Sequence, residues 1–242
     1  MALRIFVAGA AGVIGRRLLP LLLEQGYDVH GTTRSRARAN DIARSGAHPL
    51  VLDAFDRQAV FEAVGTVGPH VLIHQLTDLS GGFEPQRVSE TLARNSRLRT
   101  EGTRNVVDAA RAAGVRRLIA QSIAWVYAPG PEPHGEGDPL DRAAEGSRAV
   151  TTQGVLALED AVLDAAPVEG VVLRYGWLYG PGASEKPAGV PPLHVDAAAD
   201  AARRAIARGA PGVYNIAEPG PCIDVAKARR ELEWDPSFRR TG

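Results

Sequence analysis

An apolar run at residues 3–8 ends in Gly9-Ala10-Ala11-Gly12-Val13-Ile14-Gly15, after which Ile14, Leu18, Leu19, Leu22 and Leu23 recur with the period of a helix. A strand that turns into a helix through three glycines leaves few folds open. Gly9 permits the tight turn, Gly12 lets a diphosphate approach the backbone, and Gly15 lets the helix pack close to the sheet. The free N–H groups at the helix start then face the anion. The pattern predicts a dinucleotide cradle made by Gly9, Ala11, Gly12, Val13, Ile14 and Gly15.

The rest of the chain repeats the alternation. Short apolar runs at 3–8, 27–33, 48–53, 70–75, 117–121, 169–174 and 212–216 predict strands, and helix-periodic stretches at 14–25, 57–64, 88–113, 144–165 and 195–208 predict helices between them. Gly26, Gly114 and Gly209 each follow a helical stretch and precede a strand, as left-handed C-terminal caps do. The expected architecture is α/β: one Rossmann-type, doubly wound parallel sheet of about seven strands over residues 1–242. Two proline-rich stretches interrupt it, near 128–140 and 180–194, each after a strand at the sheet's carboxyl edge, where open parallel sheets carry their ligand crevice. They are the expected substrate loops.

The end of the second strand decides which dinucleotide is read. An acid there binds the adenosine ribose, and a base meets a 2′-phosphate. The sequence is Gly31-Thr32-Thr33-Arg34-Ser35-Arg36, with no acid, so Arg34, helped by Arg36 or Arg38, points to NADP in preference to NAD. Asp53 and Ala54, at the end of the third strand, are placed to reach the adenine amino group.

With 28 basic and 28 acidic side chains in 242 residues, the chain has no basic field to hold a polyanion, so neither nucleic acid nor an anionic membrane is an expected partner. The single Cys222 excludes an intrachain disulfide, and no apolar run reaches the roughly 18 residues of a membrane span. The first residues do not read as a signal peptide, and a cytoplasmic, reduced compartment is expected. No two of the six histidines share a helix face. His70 and His74 lie along one strand, about 13 Å apart, and no metal site is expected.

At this point the chain resembles the extended, atypical short-chain dehydrogenase/reductase superfamily, in its NAD-dependent epimerase/dehydratase-like branch. The residues that carry the likeness are Gly9 to Gly15, Val71-Leu72-Ile73-His74-Gln75-Leu76, and Glu101-Gly102-Thr103-Arg104-Asn105-Val106-Val107-Asp108-Ala109-Ala110. They continue in Arg117-Leu118-Ile119-Ala120-Gln121-Ser122, Leu173-Arg174-Tyr175-Gly176-Trp177-Leu178-Tyr179-Gly180-Pro181-Gly182, His194-Val195-Asp196, and a closing helix near Ala228 to Pro236. The resemblance implies that Gln75, Leu76 and Thr77 line the cofactor and that Tyr175 and Gly176 sit beside the nicotinamide. It also implies a C-terminal lobe, reduced here to about 218–242. Homodimer pairing through the fourth and fifth helices is common in that family.

Family chemistry uses Tyr-x-x-x-Lys on one helix face, with a serine that hydrogen-bonds the substrate oxygen. The residues four after Tyr27, Tyr127, Tyr175, Tyr179 and Tyr214 are Gly31, Pro131, Tyr179, Ala183 and Glu218, none of them basic. Aligning on Glu159 places Thr151 in the tyrosine slot and Val155 in the lysine slot. Ile123 falls where the serine would stand, and Arg99 where the family commonly has an asparagine. Ser122, Tyr127 and Tyr175 are the remaining catalytic candidates, with His74, Asp78, Tyr179 and His194 nearby. The expected function is an atypical NAD(P)-binding oxidoreductase, epimerase/dehydratase-like, acting on a small carbonyl or hydroxyl substrate. The alternatives are an NADP-binding sensor or scaffold, and a non-redox isomerase, cyclase or lyase in the same pocket.

Overall fold

The computed structural model describes residues 2–79, 84 and 86–240. The elements run β1 (Arg4–Ala8), α1 (Val13–Glu24), β2 (Asp28–Thr33), α2 (Arg36–Arg44), β3 (His48–Val51), α3 (Arg57–Val67), β4 (Val71–His74) and α4 (Val88–Arg97). A π-helical turn (Leu98–Gly102) leads into α5 (Thr103–Ala112). Then follow β5 (Arg117–Ile123), α6 (Gly146–Leu163), β6 (Glu169–Tyr175), β7 (Trp177–Tyr179), β8 (Pro192–His194), α7 (Val195–Arg204), β9 (Gly212–Ile216) and α8 (Ala226–Glu231).

Seven strands form one parallel sheet in the order β3-β2-β1-β4-β5-β6-β9. Side chains along a strand alternate between faces, and the core divides accordingly. Ile5 and Val7 of β1 pack with α1 and α7, whereas Phe6 and Ala8 pack with α3 and α5. All seven expected strands are present, and Gly26, Gly114 and Gly209 have φ of 73°, 67° and 73°, the left-handed caps expected of them. The order reverses between β1 and β4, which opens the crevice at the carboxyl edge.

Three elements depart from the sequence reading. Arg36–Arg44, read only as a source of cofactor-binding arginines, is a helix whose Ser35 accepts the Arg38 N–H as its N-cap. The single helix expected over 88–113 is divided by the π-turn. The second proline-rich stretch is flanked by a two-stranded parallel sheet of β7 and β8, which brings Trp177 opposite Pro192. The C-terminal segment packs back on α7, where the buried Trp234 donates Nε1–H to the Ala197 carbonyl at 2.8 Å. Residues 241–242 of the expected lobe lie outside the described residues.

Candidate active site

The glycine turn is built as its spacing requires. Gly9 has φ 88°, and a Cβ there would lie 2.9 Å from the Gln75 backbone. One on Gly15 would lie 2.5 Å from the Gly9 and Ala10 carbonyl oxygens. Both positions therefore exclude side chains. Val13, Ile14 and Gly15 open α1, and the turn faces a cleft at the carboxyl ends of β1, β2 and β4.

Gly9, Ala11, Gly12, Arg34, Asp53, Ala54, Gln75, Leu76 and Thr77, nine of the residues expected at the cofactor, line this one cleft together with Arg38 and Leu98. Arg34 is half exposed, its Nη1 3.3 Å from Asp78 Oδ2. Asp53 accepts the Phe55 N–H at 3.0 Å, a local turn at the cleft edge. Gly176 stands elsewhere: a Cβ there would meet the Pro191 carbonyl oxygen at 2.6 Å, so it allows β6 to pass close under the strap that leads into β8.

The three catalytic candidates are drawn into the interior. Ser122 is fully buried and donates Oγ–H to Glu159 Oε1 at 2.6 Å. Arg174 donates Nε to the same oxygen at 3.0 Å, Nη2 to Oε2 at 2.6 Å and Nη1 to the Tyr127 hydroxyl at 2.8 Å. Tyr127 in turn donates to Asn215 Oδ1 at 2.6 Å. Tyr175, 1% exposed, donates to the Ala198 carbonyl at 3.2 Å and accepts from Gln75 Nε2 at 3.4 Å. Burial raises the pKa of both tyrosines above the ordinary 10, so neither phenol is prepared to act as a base. Burial alone would lower Arg174, but its bonds to Glu159 outweigh that and hold the guanidinium charged. Each of the three hydroxyls, expected to work on substrate, is thus hydrogen-bonded within the fold.

Of the positions that the sequence reading aligned with the family's tyrosine, lysine and serine, Thr151 is polar, and Val155 and Ile123 are apolar and buried. Ile123, Val126 and Val155 form a buried cluster, with Trp125 and Leu140 packed against it. Thr151 returns its hydroxyl to the Ser147 carbonyl at 3.2 Å. Beside this cluster lies a second hollow, lined by Leu92, Trp125, Val126, Ser147, Arg148, Thr151 and Thr152. Trp125 stacks on Trp177 there, with ring centroids 4.3 Å apart, so the wall is flat and apolar. His74 is a packed core residue: its Nδ1 accepts the Leu76 N–H at 3.2 Å and its Nε2 meets Thr103 Oγ1 at 2.9 Å.

A scan along single elements misses groups brought together by strand register. His30 and His48 are cross-strand neighbours whose rings stack at 4.7 Å, each with Nε2 3.3 Å from Asp28 Oδ1. This trio lies toward the amino end of β2, away from the cleft.

The sequence profile of the NAD dependent epimerase/dehydratase family matches residues 5–214. The chain belongs to that family. Among curated relatives it is similar to 3-diazoavenalumate denitrifying reductase of a Streptomyces species, at 39% identity over 99% of this chain and 81% of that protein. It is also similar to dTDP-4-dehydrorhamnose reductase of Streptomyces griseus, at 31% identity over 74% of this chain and 51% of the relative. Among solved structures, UDP-glucose 4-epimerase of Thermotoga maritima superposes with a TM-score of 0.77 at 17% identity, covering 98% of this chain and 94% of the other. WbmG of Bordetella bronchiseptica, solved with NAD, superposes at 0.75 and 20% identity, covering 99% and 91%. The fold and the reductase relatives make this family member an NAD(P)-dependent oxidoreductase-like protein. No helix among the described residues is long and apolar enough to cross a membrane.

Proposed function

We propose that this family member is an NADPH-dependent reductase that replaces a diazo group by hydrogen and releases dinitrogen. The observation that carries the reading is the apolar cluster of Ile123, Val126 and Val155, in which Val155 takes the slot of the family's lysine and Ile123 that of its serine, while Thr151, in the tyrosine slot, returns its hydroxyl to the Ser147 carbonyl. Reducing a carbonyl develops charge on oxygen and needs a positioned proton donor. Reducing a diazonium does not: R–N₂⁺ + NADPH gives R–H + N₂ + NADP⁺. One hydride supplies both electrons and the hydrogen, and the leaving group is a neutral gas. The catalytic demand then reduces to holding a flat substrate against the nicotinamide, for which Trp125, stacked on Trp177, and the neighbouring Val126 would offer a flat apolar wall beside Ser147, Arg148, Thr151 and Thr152. The relative that spans nearly all of this chain is named for a denitrifying reduction of a diazo compound, which supports the same reading.

The test is NADPH oxidation with an ortho-hydroxyaryl diazonium salt, with dinitrogen measured in the headspace by mass spectrometry. The expected result is one N₂ per NADPH, with simple aldehydes and ketones at least about a hundredfold slower, as the missing acid–base assistance dictates. Carbonyl reduction without dinitrogen release would overturn the reading. So would tight NADPH binding with neither reaction, in favour of a cofactor-binding scaffold.

The preference for NADP over NAD rests on Arg34 and Arg38 lining the cleft at the end of β2. Arg34→Ala is expected to weaken NADPH binding by roughly 10- to 100-fold, the worth of a charge-assisted contact, and to leave NADH affinity within about twofold. Calorimetry that finds equal losses for both cofactors would show that Arg34 does not read the 2′-phosphate. A reduced, cytoplasmic setting suits the free Cys222 thiol, and a homodimer is consistent with family habit.

A further inference from the structure

We infer that Arg99 is the anchor for a carboxylate carried by the substrate. Arg99 projects from the π-turn and is 5% exposed, yet among the described residues it makes no hydrogen bond or ion pair. The anion nearest in electrostatic terms is Glu159, whose two oxygens are already occupied by Arg174 and Ser122. A buried cation without a partner is unfavourable, and an anionic ligand would complete it.

The guanidinium also has somewhere to put a ligand. The sealed polar side-chain atoms without a partner among the described residues are Gln75 Oε1, Arg117 Nε and Thr152 Oγ1, so the nitrogens of Arg99 still reach open space. Arg99 itself is in the lining of neither hollow, but the chain around it borders both. Leu98, the preceding residue, lines the cofactor cleft, and Leu92, on α4, lines the second hollow with Thr151 and Thr152. The wider π-turn is what displaces residue 99 from the ordinary helical path at this point.

A dinucleotide in the cleft would set its diphosphate at the Gly9–Gly15 turn and its 2′-phosphate at Arg34, so the counter-charge for Arg99 would come from the other reactant. A carboxylate matches a guanidinium in plane with two parallel hydrogen bonds, and the orphaned Thr152 hydroxyl adds a donor on the substrate side. The assignment rests on reading the second hollow as the substrate end of the site.

The experiment is equilibrium binding of benzoate and of benzamide, its neutral isostere, to the NADP⁺-loaded protein, for the parent, Arg99→Gln and Arg99→Lys. The expected result is saturable benzoate binding that falls at least tenfold in Arg99→Gln and less in Arg99→Lys, with benzamide affinity unchanged. NADP⁺ affinity stays constant, and the melting temperature of Arg99→Gln holds or rises, because an unpaired buried charge has been removed. Equal benzoate affinity in parent and Arg99→Gln would overturn the assignment, as would no saturable benzoate binding at all. A loss of NADP⁺ affinity would overturn it in favour of a cofactor contact, and a large fall in melting temperature in favour of a structural role. Benzoate has no diazo group, so this test and the dinitrogen test fail independently.

Discussion

Glu159→Ala is expected to destabilise the protein by roughly 3–5 kcal/mol, which lowers the melting temperature by roughly 6–20 °C in a domain of this size. Glu159 is 3% exposed and is the counter-charge of Arg174, which is 4% exposed, so truncation leaves a guanidinium in the interior with only the Tyr127 hydroxyl and the Glu136 carbonyl as acceptors. It also strips Ser122 of its acceptor and removes the anion that Arg99 feels most strongly. The network joins β5, α6, β6 and the edge strand β9, so the loss falls on the packing that holds this side of the sheet together. Glu159→Gln keeps most of the hydrogen-bonding shape and should cost less than the alanine. Denaturant and thermal melts of both variants decide the matter, and a melting temperature within about 2 °C of the parent for Glu159→Ala would show that Arg174 finds another partner. On the same grounds Ser122→Ala and Tyr127→Phe each act on stability, by about 1–3 kcal/mol, and not on proton transfer.

That network marks where sequence reading stops. The sheet is legible because each strand alternates between two buried faces and each helix carries its own period and cap, all local signals: Phe6 against Val7, or Gly114 after α5. The cofactor cleft is legible for a related reason. Its lining comes from strand ends, and strand order at a switch point follows from the alternation itself. Ser122 and Tyr127 look available in the sequence because they stand at a strand end beside a loop. Only the fold reveals that Arg174, opposite Ser122 on the neighbouring strand β6, joins Tyr127 to the Glu159 to which Ser122 donates. Arg99 was visible as a departure from the family's asparagine, but its lack of a partner was not, since a missing ion pair has no sequence signature. The His30–His48–Asp28 trio is a pairing across strands, which spacing within one element cannot show.

Acid should weaken the protein through His74. Burial first, and then the charge of Arg99, lower its pKa from 6.5 to about 4, so the folded state holds the imidazole neutral while the unfolded chain protonates near 6.5. A lowered histidine pKa means that its contribution is complete above pH 6.5 and is lost as pH falls through the window from 6.5 to 4. The gap corresponds to about 3 kcal/mol. Carboxylates lose stability over an overlapping range, so the measurement is a difference: the free energies of the parent and of His74→Asn, compared from pH 7 to pH 4. Asparagine is chosen because its Oδ1 can still accept the Leu76 N–H that His74 Nδ1 accepts at 3.2 Å. The variant starts less stable at pH 7, having lost the contact with Thr103 and filled less of the core, and the difference should shrink by about 3 kcal/mol by pH 4. A difference that stays constant with pH would show that His74 does not titrate in the folding equilibrium. The same bond links the titration to the site. Leu76 and Gln75 line the cofactor cleft, and protonated Nδ1 can no longer accept the Leu76 N–H, so in acid the parent should lose dinucleotide affinity before His74→Asn does.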